Sequence, residues 1–372
     1  MKTLNGQALI QAFEARIPKS FAVENDRVGL QIGTLNKSIK RIMVTLDVLE
    51  NVIDEAIEKH VDLILSHHAI IYRPLKTMRT DRGQSKLVAK CIQHDIAVYV
   101  AHTNLDIAEG GLNDWLAEAL QLKNLEILAP TQTEMLYKLA VYTPISHADR
   151  VREAMGGQGA GYIGDYSYCS FNTQGLGIFR PERGADPFIG QVGKLEQVEE
   201  VKIETVVAEK QLKQVIKAMT NAHPYEEVAY DCYLLKNKGK EYGLGRIGKL
   251  ESSISLKELA LKTKSLFNLD GCRVVGDLDK PVKKVAVLGG DGNGFIHEAA
   301  FKGADVLITG DIYYHTAHDA ILEGMSIIDV GHHVEQIMKK GVKELLDVFI
   351  AREGYEAEVL VSEANTNPFH FL

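Results

Sequence analysis

"IDEAIEKHVDLILSHH" (residues 53 to 68) and "IHEAAFKGADVLITGD" (296 to 311) lie 243 positions apart in the chain, and so do "KRIMVTLD" (40 to 47) and "KKVAVLGG" (283 to 290). No gap is needed between the blocks. Each half spells a short apolar strand, a polar turn, an amphipathic helix and a second apolar strand rich in Val, Ile and Leu, the pattern of a parallel βαβ unit. Asp62 and Asp305 match in the turn before the second strand. A third strand follows in both halves, "IAVYVAHTNLD" (96 to 106) and "MSIIDVGHHVE" (325 to 335). Shortening the preceding connection by 13 residues in the second half sets His102 against His332. The chain therefore reads as α/β, with two related α/β lobes forming one domain over residues 1–130 and 237–372.

Between the lobes the texture changes. "KLAVYTP", "SHADRVREAMGGQG", "YSYCSFNTQGLGIFRP", "EEVKIETVVAEK", "QLKQVIKAMTNAH" and "EEVAYDCYLL" read as strand, helix, strand, strand, helix, strand. That βαββαβ order is the ferredoxin-like motif, so residues 131–236 are expected to form an inserted α+β domain with its own core. "LKNKGKEYG" (235 to 243) would be the return linker.

At 372 residues, 45% hydrophobic and 25% charged, with nine scattered prolines, the composition is that of a globular protein long enough for two domains. No uncharged apolar run reaches the ~18 residues of a membrane span, and the N-terminus has no signal-peptide pattern. The four cysteines form no CxxC pair, which speaks against a thiolate zinc site or a disulfide framework and fits a cytoplasmic protein. A net charge of −8 without a basic block argues against a nucleic-acid partner.

The polar clusters fall at strand carboxyl ends, where α/β folds place ligands. His67 and His68 end a buried-type strand, and adjacent side chains there point to opposite sides, which suits two metal ions better than one. Taken alone, such a pair is more often one core or capping histidine and one exposed one. Asp106 in "HTNLD" offers a hard oxygen beside nitrogen donors, as zinc, manganese or iron accept, although it could also cap the helix that follows. His332 and Glu335 are an i,i+3 pair on one helical face, and a carboxylate so placed can bridge two ions; as a first-turn acid, Glu335 could also merely favour the helix dipole. The set has no thiolate and too few groups for closed shells, leaving room for water, which becomes a usable nucleophile on a divalent ion.

Around these, "LGGDGNGF" (288 to 295) is a glycine-rich turn whose free amides could hold an anion, with Asp291 inside it, but it lacks the Lys-Ser/Thr ending of a P-loop. In "TGDIYYHTAHDA" (309 to 320) Asp311 stands where His68 does in the first lobe, making Asp311 and His315 outer-tier or substrate candidates, with helix capping an equal alternative for Asp311. His102 joins that outer tier. In the inserted segment, "NAHPYEEVAYD" (221 to 231), with His223, Glu226 and Glu227, reads as a turn and subunit-contact element rather than a catalytic one.

In order, "ENDRVGLQIG", "SHHAIIYRPLK", "AHTNLD", "GGDGNGF", "TGDIYYHTA" and "GHHVE" resemble the Nif-three-like family of dinuclear-metal proteins, often labelled GTP cyclohydrolase 1 type 2 homologues. The inserted segment is similar to the PII-like and CutA-like domain of longer bacterial members. The resemblance implies two divalent ions per subunit held by His67, His68, Asp106, His332 and Glu335, with Glu335 bridging, in a toroidal hexamer whose sites face an internal cavity. One departure is the spacing of three from His332 to Glu335, where many members have four; Gly331 anchors the alignment on His332, so His333 is left out of the ligand set.

Two functions from different classes follow. One is a metal-dependent hydrolase acting on a nucleotide or other phosphorylated small molecule, with GTP ring opening one form of it. The other is a non-catalytic regulatory or binding ring in which the inserted domain senses ligand or metal. Nucleic acid and membrane are not expected partners.

Overall fold

A computed structural model describes residues 2–372. The chain forms two compact units, one from Met1–Gln132 with Tyr242–Leu372 and the other from Thr133–Glu241.

The larger unit holds two mixed sheets. In the first, the strands run in the order Glu358–Val361, Arg41–Thr45, Leu63–Ser66, Ala97–Val100, Gly29–Ile32, parallel except for the last. In the second, the parallel core is Pro281–Asp291, Val306–Gly310 and Ser326–Asp329, with Arg273–Val275 added antiparallel at one edge and Glu241–Ser255 followed by Lys123–Thr133 at the other. Strand alternation divides the apolar residues between two layers. Ile42, Val44, Leu63, Leu65, Ala97 and Tyr99 join a core that also contains Val285, Val306 and Ile328 of the second sheet. The intervening Met43, Ile64 and Val98 face the other way, onto Val52, Ile53, Val88 and Cys91 of the covering helices. Both faces of the parallel strands are thus buried, which explains why they read as continuous apolar runs.

The repeat in the sequence is a repeat in hydrogen bonding. Ile42 pairs with Leu63 in the first sheet and Val285 with Val306 in the second. Asp62 Oδ2 accepts from the amides of Lys40 and Arg41 at 2.7 and 2.9 Å, and Asp305 Oδ2 accepts from Lys283 and Lys284 at 2.8 Å each. Even the cation after the turn is reused: Arg41 donates to Lys59 O and Lys284 to Lys302 O. The third strand corrects the alignment of the two halves. Ala101 N–H donates to Ser66 O and Val330 N–H to Thr309 O, and Ser66 and Thr309 are repeat equivalents, so Gly331 and not His332 stands opposite His102. Gly331, at φ +74°, turns the chain one residue earlier in the second half.

The smaller unit is a four-stranded antiparallel sheet in the order Tyr230–Leu234, Leu136–Pro144, Glu196–Ala208, Ser170–Phe179. Helices Ala148–Gly156 and Glu209–Ala222 place Val151, Met155, Val215 and Met219 against Leu139, Val141, Val201 and Ile203 as a separate core. Its His223 is 8% exposed. Its Nε2–H donates to Tyr142 O at 2.9 Å and its Nδ1 accepts from the Tyr225 amide at 3.0 Å, which pins the His-Pro-Tyr turn.

Candidate metal centre

The histidine pair is set by the first sheet. His67 and His68 prolong the ladder beyond Ser66, their amides donating to Thr45 O and Leu46 O. Their rings nevertheless converge, with centroids 5.1 Å apart, on one distant carboxylate, Glu335. Glu335 lies on the 3-10 turn His332–Ile337, where residues three apart eclipse, so the short His332-to-Glu335 spacing still stacks the two side chains. Glu335 Oε2 is 3.0 Å from His68 Nε2, 3.2 Å from His332 Nε2 and 3.7 Å from His67 Nε2.

Four imidazoles are aimed the same way, because each Nδ1 is tethered. His67 Nδ1–H donates to Ala101 O at 2.8 Å, His68 Nδ1 meets Asp47 at 2.7 Å, His102 Nδ1 meets Asp26 at 2.8 Å, and His332 Nδ1 meets Asp311 at 2.6 Å. A carbonyl or carboxylate on Nδ1 fixes the tautomer that leaves Nε2 as the free donor, the outer-tier arrangement of histidine metal ligands. Donor atoms fall into three overlapping sets, each within 4.8 Å: His67, His68 and His102; His68, His332 and Glu335; His67, Asp106 and Glu335.

The donor set fits a cation. His67 Nε2 and Asp106 Oδ1 are buried, take no hydrogen bond among the described residues, and lie 3.6 Å apart. Leaving two such atoms bare would be costly, and a divalent ion between them satisfies both. Asp106 sits inside the short helix Thr103–Ile107 and caps nothing; the next helix begins after Gly111. Without an ion the charges are balanced by protons. Burial works against a charged His68, but its bonds to Asp47 and Glu335 prevail and hold it at about 10. The hydrogen bond to Glu335 raises His332 to about 9 against the cost of burial. Burial lifts the Asp106 carboxyl to about 6 despite the attraction of His67, and Glu335, although buried, is held well below its ordinary range by the imidazoles around it.

All five candidate ligands read from the sequence are thus brought together, and His102, placed by sequence in the outer tier, stands among the possible donors with its ring 5.1 Å from that of His67. Asp311 holds His332 and does not cap the helix Tyr314–Leu322, whose first turn follows Tyr313. Asp291 lies one step further out, accepting from Asn293, whose Nδ2 in turn donates to Asp311 O at 2.7 Å. His315 is exposed on the helix Tyr314–Leu322, its ring against Tyr314, outside the donor sets. His333 is also outside them, with Thr366 Oγ1 3.5 Å from its Nε2. The glycine turn does not offer a ring of free amides: Gly289 N–H goes to Asn113 Oδ1, Gly292 N–H to Gly310 O, and Asn293 N–H to Asp291. Its glycines serve closeness instead, since a Cβ on Gly290 would lie 2.7 Å from Glu335 Oε1. Asp26 and Asp47 escaped the sequence reading. The only signal for them is position, an acid in "ENDRVG" and one just past the strand Arg41–Thr45.

Fold and site define an α/β protein with a buried histidine and carboxylate cluster suited to divalent cations. The chain matches the Duf34/NIF3 (NGG1p interacting factor 3) family over residues 4–368, and it belongs to that family. It is 56% identical to a Bacillus subtilis protein and 55% identical to one from Halalkalibacterium halodurans, each called GTP cyclohydrolase 1 type 2 homolog and each covered over its full length, as is this chain. A Bacillus cereus protein related to NIF3, of known crystal structure, superposes with a TM-score of 0.94 at 49% identity over the whole of both chains.

Proposed function

We propose that the chain holds two divalent ions and is a metal-dependent hydrolase of a nucleotide or other phosphorylated small molecule. The observation that carries this reading is the buried, unpartnered pair of His67 Nε2 and Asp106 Oδ1 facing Glu335. His67, Asp106 and Glu335 would hold one ion and His68, His332 and Glu335 the other, with His102 beside His67 and His68 as a further donor. Ions there would supply Lewis acidity and lower the pKa of water. The chain's own part is orientation: four Nδ1 tethers fix the imidazoles, and Glu335, gripped from both lobes, sets the spacing. Metal analysis of protein loaded with zinc, manganese or iron should give two equivalents, falling on Asp106→Ala. A protein that takes up no metal, or shows no turnover over a broad panel of phosphorylated metabolites, overturns the corresponding half of the reading.

The finer architecture belongs to the same proposal. Strand order in the smaller unit, with the first and third strands central, supports a ferredoxin-like insertion, and the duplicated Asp62 and Asp305 bonds support two lobes of common design. Exposed Phe301, Ile321 and Leu322 on one lobe support self-association, for which the hexamer implied by the family resemblance is our reading. Light scattering of the purified protein distinguishes a hexamer from smaller species.

A further inference from the structure

The donor cluster opens onto two recesses of about 700 and 510 Å³, which share Asp47, Leu49, His68 and His332 and so form one trough across it. Each recess falls within the size range of small-molecule sites. Their chemistry differs from end to end.

The larger recess has one cation in its wall and others in the segment that borders it. Arg27 lines it, while its two carboxylates, Asp26 and Asp47, are each spent on an imidazole. The segment between Tyr72 and Gln84, both of which also line it, carries Arg73, Lys76, Arg79 and Arg82 against the single acid Asp81, in a chain whose net charge is −8. Among the described residues only Arg79 is paired with that acid. Arginine in the wall with further cations in the neighbouring segment suits an oxyanion such as phosphate.

The smaller recess has no lysine or arginine in its wall, and Asp270 would repel an anion. Instead it offers Phe369 and Phe371, 66% and 58% exposed, beside the side-chain amides of Asn268 and Gln336. Ring faces next to hydrogen-bonding edges are the means of holding a flat heterocycle. Among the described residues neither side-chain amide takes a hydrogen bond.

We propose that the trough seats a nucleotide, with the base against Phe369 and Phe371, the phosphate toward Arg27, and the ribose with its phosphoester bond lying over His68 and His332. This rests on the metal-site reading above and names the substrate class of that site.

The test is calorimetric binding of a nucleoside 5′-monophosphate, the matching nucleoside and inorganic phosphate to the metal-loaded full chain, with turnover checked in the same samples. Arg27→Ala should weaken the nucleotide and phosphate at least about tenfold and spare the nucleoside. Phe371→Ala should weaken the nucleotide and nucleoside and spare phosphate. Both residues are exposed, so neither substitution threatens folding. Equal binding of phosphate and nucleotide, with Phe371→Ala silent, overturns the base arm; an unaffected nucleotide affinity in Arg27→Ala overturns the phosphate arm. A protein that binds nucleotide through both arms yet cleaves nothing keeps the seat and loses the hydrolase, whereas one that hydrolyses other compounds and ignores all nucleotides does the reverse.

Discussion

Gly290 shows how little freedom the cluster leaves. It has φ +71°, and a methyl group there would meet Glu335 Oε1 at 2.7 Å, whereas a Cβ on Gly294, in the same turn, meets nothing within 4 Å. Gly290→Ala is therefore expected to cost about 1–2 kcal/mol of backbone strain and to push Glu335 away from His68 and His332, lowering metal content. Gly294→Ala should leave metal content unchanged, and metal analysis beside urea denaturation of both variants checks the contrast. Asp311 is tested differently because it touches no ion in our reading and acts by holding His332 Nδ1. Asp311→Ala should weaken metal binding by roughly 10–100-fold with the fold intact by circular dichroism. Affinity equal to that of the parent would remove Asp311 from the tether set.

At the level of elements, the duplicated aspartates make a paired prediction. Asp62 and Asp305 each accept two backbone amides of the neighbouring strand's N-terminal end. Replacing either with Ala leaves those donors without their acceptor and should cost about 1–3 kcal/mol, by similar amounts in the two variants, read as shifts in urea midpoint. Markedly unequal losses would mean that the two turns are alike in sequence only. These strands were legible because burial on both faces writes them as unbroken apolar runs and because the Asp is spent on backbone in both halves. The pairing of His102 with His332 misled because letters can be matched across a turn that Gly331 shortens by one residue; only the ladder from Ser66 and Thr309 shows the offset. The "GDGNGF" amides read as an open cradle because a sequence does not display where backbone donors go. Here Asn113, from the helix Leu112–Ala119, takes one of them while its Nδ2 donates to Asp106 O. Asp26 and Asp47 were hidden for a related reason: a lone acid gains meaning only from the histidine that folding brings to it.

For the whole molecule, the two units respond to different chemical variables. The metal donors all lie in the larger unit, so an ion bound there stabilises it by mass action, about 4 kcal/mol at a thousandfold excess over Kd, and chelation should lower amide protection in Leu63–Ser66 and Val306–Gly310. The smaller unit has its own core and its own titrating group. Burial holds the His223 imidazole below its ordinary 6.5 despite the Tyr142 carbonyl it serves, and protonation would remove the Nδ1 lone pair that accepts from Tyr225. With the folded pKa below the unfolded one, the unfolded chain takes up the proton first as pH falls. The contribution of His223 to the stability of this unit is thus complete above about pH 6.5 and is lost as pH falls from there through its lower folded pKa. Hydrogen exchange corrected for intrinsic rates, at pH 7.5 and 5.5 with and without chelator, separates the effects. Acid should deprotect the strand Tyr230–Leu234 and its preceding turn, His223→Ala should abolish that pH dependence, and chelator should leave the strand unmoved. Acid sensitivity that survives in His223→Ala would assign the pH response to another group.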